Sequence, residues 1–146
     1  MPTSRRRKAR ELAMQALFYM DQSPMAPKQA LQLFVQQYPP PKQVDRFFNE
    51  IVSGILENRR NIDGLIEKNA QHWKLSRMSG VDRNVMRIAV FEFLFKPDIP
   101  KTVSINEAIE IGKRFGSEET GAFVNGILDS IRIELDNDAE AVPGKR

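Results

Sequence analysis

The sequence predicts an all-α fold of six or seven helices. Apolar residues recur at spacings of three and four along nearly the whole chain. Alternation with a period of two is scarce, and the breaks between apolar stripes are short. No unit of 20–50 residues repeats. At 146 residues, 41% apolar and 28% charged, the chain has the size and composition of one globular domain with its own core.

The first helix is expected from Ser4 to about Asp21, with Ala9, Leu12, Ala13, Ala16, Leu17 and Met20 in one stripe. Pro24 and Pro27 interrupt, and Leu31, Phe34, Val35 and Tyr38 mark a shorter second helix. Pro39, Pro40 and Pro41 end it, since proline lacks the amide donor and restricts the residue before it. Val44, Phe47, Phe48, Ile51, Val52, Ile55 and Leu56 form a third stripe. Arg59–Asn61 break it, and Ile62, Leu65 and Ile66 resume it. Trp73 to Gly80, with His72 before it, reads as a connector. Ser79 and Asp82 then cap a helix from Val81 to about Phe95 that is apolar nearly all round, the expected buried centre. Lys96 to Pro100 is a turn. Ser104 and Glu107 match a capping box and predict the next helix start. Gly116 closes that helix, and Ser117 is expected to cap a last one, Glu118 to about Leu135. The expected organisation is a single domain over 1–135 and a flexible tail over 136–146.

Composition excludes several chemistries. Cysteine is absent, which removes disulfides, thiolate catalysis and cysteine-ligated metals and fits a reducing cytoplasm. The single histidine, His72, excludes any multi-histidine metal site, so no metal and no cofactor is expected. No apolar run approaches the ~20 residues of a membrane span. Gly116 and Gly121 match GxxxxG, but Ala122-Phe123 stands where a phosphate loop needs lysine and a hydroxyl. Gly121 and Gly126 read instead as sites of close helix packing. No catalytic constellation has support, so the chain is not expected to be an enzyme.

Net charge is only +3, and its location says more. Arg5, Arg6, Arg7, Lys8 and Arg10 crowd the amino end of the first helix, where the helix dipole favours acids. A cluster opposed to local stability suggests a polyanionic partner. The alternatives are a solubilising run or a presequence-like or membrane-surface helix; Glu11 and the core stripe argue against the presequence. If all five cations engage single-stranded RNA, log affinity falls against log salt with a slope of about 3.5. Arg83, Arg87 and Glu92 on the apolar fifth helix need partners: an internal ion pair, or an edge with Asp82 where another molecule docks. Phe123 is core by spacing, or else a surface on which a base stacks.

The chain resembles the NusB family. The residues that carry the resemblance are Arg6-Arg7-Lys8-Ala9-Arg10-Glu11 with Gln15-Ala16-Leu17, Val81-Asp82-Arg83 with Arg87-Ile88-Ala89, Ile105 to Glu110, and Phe115-Gly116 through Phe123 to Asp129. The resemblance implies two small helical bundles packed together. It implies transcription antitermination through single-stranded boxA-type RNA of ribosomal RNA leaders, bound with a small-subunit ribosomal protein, NusE. The pair would join RNA polymerase and other Nus factors and hold the leader away from termination machinery. By matching positions, Arg5, Arg6, Arg7, Lys8 and Arg10 would contact phosphates. Phe123, Glu119 and Arg83 would lie on the RNA side, and Phe18, Asp82 and Arg87 on the side of the ribosomal protein. Phe18 stands where relatives usually carry tyrosine, so one hydroxyl is missing there. The resemblance also implies that Phe123 is partly exposed. Pro39–Pro41 and the tail match nothing in the family.

Two other readings compete. NusB-like domains occur fused to ribosomal-RNA cytosine methyltransferases, but no glycine-rich cofactor strand or cysteine nucleophile is present here. A homodimeric adaptor that never touches RNA would expose Phe34, Phe47 or Phe91.

Overall fold

The computed structural model describes residues 4–71 and 73–141, so residues 1–3, His72 and residues 142–146 lie outside the described residues. Among the described residues there are seven α-helices and no strand. They are α1 (Arg5–Gln22), α2 (Pro27–Gln37), α3 (Asp45–Glu57), α4 (Arg59–Asn69), α5 (Gly80–Phe95), α6 (Lys101–Phe115) and α7 (Thr120–Ala141). A single 3-10 turn, Leu75–Arg77, lies in the connector before α5.

α1, α2 and α3 pack as one bundle and α4 to α7 as a second. The predicted apolar stripes become the contact faces. Phe48, Ile51, Val52 and Ile55 of α3, Ile62 and Ile66 of α4, and Leu128 and Ile131 of α7 are buried. Each such side chain contributes about 1.5–3 kcal/mol of transfer free energy. α5 is the shared centre, as its all-round apolarity predicts. Every residue from Asn84 to Phe93 is buried, and the helix touches α1, α3, α4, α6 and α7.

Most boundaries fall within two residues of the expected ones, and the exceptions have local causes. Ser4 caps α1 by accepting the Arg7 amide at 3.0 Å, and Ser79 caps α5 by accepting the Asp82 amide at 3.0 Å. Arg59–Asn61 are helical. The break falls on Asn58, whose amide N–H and side-chain Nδ2 both donate to the Gly54 carbonyl. The capping box at Ser104 is not formed, because α6 starts three residues earlier, behind Pro100. Ser104 sits inside the helix and donates to Glu92, while Glu107 faces α1.

At the last helix, Ser117 belongs to a turn, and α7 begins at Thr120. α7 also runs to Ala141, six residues past the expected end at Leu135. Asp136 holds that extension, paired with Lys101 at 3.2 Å and Arg132 at 3.4 Å. The flexible tail expected over 136–146 is therefore helical as far as Ala141. Among the described residues no helix is long and apolar enough to cross a membrane.

Candidate nucleic-acid interface

The five cations at the start of α1 divide by helical phase. Arg7 and Arg10, three residues apart, face the second bundle. Arg7 grips Glu107 of α6 with two bonds, Nε to Oε1 and Nη2 to Oε2, both 2.6 Å. Arg10 is 4% exposed. It donates to Glu92 of α5 from Nε at 2.6 Å and from Nη2 at 3.0 Å, and to Glu107 from Nη1 at 3.2 Å. The Ser104 hydroxyl completes the Glu92 carboxylate at 2.6 Å. The hydrogen bonds from Arg7, with the charges of Arg7 and Arg10, hold the Glu107 carboxyl below the usual glutamate range despite burial. Arg7 and Arg10, expected to meet RNA phosphates, are both paired with acids of the same chain, Arg10 buried and Arg7 with its side chain still 32% exposed. The acids that the first turn of α1 lacks are supplied by α5 and α6 across the interface.

Arg5, Arg6 and Lys8 remain on the surface. Arg6 makes one loose, exposed pair with Asp98 at 3.6 Å, which holds it weakly. Arg5 and Arg6 border a groove of about 450 Å³ that they line with Gln43, Arg46, Phe47, Glu50 and Lys96. The half-buried Phe47 ring carries Arg6 at 5.2 Å, Arg10 at 5.5 Å and Lys96 at 5.9 Å from its centroid. Arg46, with its side chain 94% exposed, adds a further cation. Sequence reading placed Phe47 in a core stripe and missed Arg46 and Lys96. They lie in other elements, and only the packing of α3 and α5 against α1 brings them together.

The charges on α5 are internal. Arg87 is buried, donating to Asp63 of α4 from Nε at 2.8 Å and to Asp21 of α1 from Nη1 at 3.0 Å. Arg83 donates to Asp21 at 3.1 Å and to the carbonyls of Leu75 and Met78. Burial raises the Asp21 pKa, but Arg87, Asn84, Arg83 and Arg59 together outweigh it and leave the carboxyl below the usual range. Arg83, expected on the RNA side, and Arg87, expected on the protein-partner side, thus make the internal ion pairs that the sequence left open as the alternative. Arg87 is held by Asp21, Asp63 and the Asn84 amide oxygen, and Arg83 by Asp21 and two backbone carbonyls of the same chain.

The far end of α1 builds a different surface. Phe18, 37% exposed, packs against Gly80 at the head of α5, where an added Cβ would come within 2.5 Å of the ring. Beside it Asp82 accepts a 2.8 Å hydrogen bond from the Thr120 hydroxyl, which ties the heads of α5 and α7 together. Glu119 is exposed in the turn before α7. Phe123 is half-buried, not core, and meets the half-exposed Trp73 edge-on at 5.9 Å between ring centroids. Trp73 was missed because a connector offers no periodicity to read. Gly121 is buried against Lys113 and Ile109 of α6, whereas Gly126 has nothing within 4 Å of an added Cβ and serves no packing.

The sequence model described as the NusB family matches residues 7–132. A transcription antitermination protein NusB of Desulfatibacillum aliphaticivorans is 57% identical over 137 residues, covering 94% of this chain and 96% of its own. That of Myxococcus xanthus is 43% identical over 134 residues, covering 89% and 96%. Among solved structures, T. maritima NusB is 42% identical with a TM-score of 0.76, covering 92% of this chain and 94% of its own. A structure of antitermination factors NusB and NusE in complex with double-stranded RNA is 25% identical with a TM-score of 0.76, covering 87% and 95%.

Proposed function

The chain belongs to the NusB family of transcription antitermination proteins, which is not a family of enzymes, and from that premise we propose that it binds single-stranded boxA-type RNA of ribosomal RNA leaders together with NusE. The RNA–protein pair then joins RNA polymerase and the other Nus factors and keeps the leader from engaging termination machinery. The observation that carries the reading is the sorting of charge at the start of α1. Arg7 and Arg10 are taken up by the fold, while Arg5, Arg6 and Lys8 are exposed at the surface, with Arg6 over the aromatic Phe47 ring. Exposed cations next to an aromatic face suit single-stranded nucleic acid, which is held by phosphate contacts and base stacking. The solved complex of relatives with NusE and RNA supports the choice of partners.

In this reading Arg5, Arg6 and Lys8 neutralise phosphates. Phe123, with Trp73 at its edge, offers a ring to a base, and Glu119 limits how tightly the strand is held there. Phe18 and Asp82 face NusE. Phosphate contacts carry no sequence information, so preference for the boxA strand comes from base contacts and from the partner. The homodimeric adaptor loses its support, since Phe34 and Phe91 are buried and Phe47 is half-covered by cations.

If the three exposed cations at the start of α1 are the ones engaged, log affinity falls against log salt with a slope of about 2.1, in place of the 3.5 expected for five. A fourfold rise in salt then weakens binding roughly 20-fold. The test is fluorescence anisotropy with a boxA-type strand and a scrambled strand, at two salts, with and without NusE. Preference for the boxA strand that sharpens with NusE is expected. Equal, weak binding to both strands in every condition sinks the proposal.

A further inference from the structure

We infer that a second groove, between α1, the proline turn after α2 and the end of α6, holds one unstacked base of a single-stranded RNA; this rests on the RNA-binding reading above. The groove measures about 520 Å³, within the range of small-ligand sites. Its walls are Lys8, Gln15, Gln37, Tyr38, Arg114 and Phe115.

Three features point to a base. The first is the aromatic wall. Tyr38 is 59% exposed, an unusual state for a large ring with no partner beyond Phe34 at 5.3 Å. Pro39 bars Tyr38 from continuing α2 and holds it at φ −130°, ψ 69°. The prolines at 39–41, otherwise without a role, thus fix a ring at the groove's edge. Opposite, the Arg114 guanidinium covers Phe115 at 5.3 Å from its centroid, a flat cationic face of the kind on which bases stack.

The second feature is polarity. Gln15 and Gln37 are exposed amides, each able to donate and accept at a base edge. Lys8 is uncommitted, while Glu11, the one acid of the lining, is buried and answered by Arg114 at 2.8 Å. The groove therefore carries a net positive charge, as a polyanion requires.

The third feature is position. α6 is tied to α1 by ion pairs, Arg7–Glu107 and then Glu11–Arg114. Lys8 belongs both to the cations at the start of α1 and to the lining of this groove, so a strand held by Arg5, Arg6 and Lys8 reaches it directly.

The test uses the full chain, with a boxA-type strand carrying 2-aminopurine at one position at a time. Tyr38 is exposed, so Tyr38→Ala keeps the fold, which circular dichroism checks. Wild type and Tyr38→Phe are expected to quench the probe at one position by stacking. Tyr38→Ala is expected to lose that quench and to bind about five- to 100-fold more weakly, with the same salt slope, since stacking releases no counterions. A wild-type chain that binds the strand while Tyr38→Ala matches it in affinity and quench overturns the groove and leaves the proposed function standing. A Tyr38→Ala chain that loses NusE but keeps RNA makes the groove a protein site and overturns the inference. A wild-type chain that binds no such strand overturns both.

Discussion

Arg7 and Lys8 are neighbours in the chain, yet one faces Glu107 and the other faces solvent, because successive residues of a helix point 100° apart. The same charge therefore has different work at each position. Arg10→Gln is expected to strip Glu92 of its buried partner and to destabilise the fold by about 3–5 kcal/mol in a denaturant titration, with the salt slope of RNA binding unchanged. Lys8→Gln is expected to do the reverse, lowering that slope by about 0.7 and leaving stability within about 0.5 kcal/mol. Glu107 and Asp21 are both held below their ordinary pKa values by the arginines around them. A carboxylate lowered in the folded state contributes stability that is fully present above its unfolded value, about 4. It is lost as pH falls through the folded value. Stability should therefore be level near neutrality and fall progressively below about pH 4.5; in Glu107→Gln that fall should be smaller.

At the scale of the helix, glycine positions separate packing from tolerance. Gly64 in α4 and Gly126 in α7 have nothing within 4 Å of an added Cβ. Alanine is the better helix former, so Gly64→Ala and Gly126→Ala should each raise stability by about 0.5–1 kcal/mol. Gly54 in α3 is the opposite case, because an added Cβ would collide with the Phe91 ring of α5. Gly54→Ala should destabilise by about 1–3 kcal/mol. Thermal melts of the three variants check both signs. The helices were legible wherever one stripe dominated, as in α1 and α3. The Ser104–Glu107 capping box failed because the same residue types that cap a helix also complete a buried ion-pair network. Only the proximity of α1 and α5 decides between the two roles.

Across the whole molecule, α1 is pinned to the second bundle at both ends. Arg7 and Arg10 hold α5 and α6 at one end, and Asp21 holds Arg59, Arg83, Asn84 and Arg87 at the other. Two bundles joined by a shared buried helix and two ionic clusters should unfold as one unit. Circular dichroism and the fluorescence of Trp73, the only tryptophan, are expected to give one coincident transition. Asp21→Asn leaves the Arg87 guanidinium with a single carboxylate and should lower the midpoint substantially. Separate transitions in the wild-type chain would show that the ionic clusters do not couple the bundles.

The sequence alone determined the helical class, the buried character of α5 and the concentration of cations at the start of α1, because periodicity and local charge are properties of neighbours in the chain. It also carried the family resemblance, through short runs of adjacent residues. Tertiary structure decided which of those cations are free. Arg7, Arg10, Arg83 and Arg87 find their acids roughly 20 to 100 residues away, and no local pattern encodes so distant a pairing. It likewise decided that Phe47, Tyr38, Trp73 and Phe123 present faces to solvent instead of filling the core. Hydrophobic spacing marks the side of a helix that is apolar. Whether another element covers that side depends on packing, which is set by the chain as a whole.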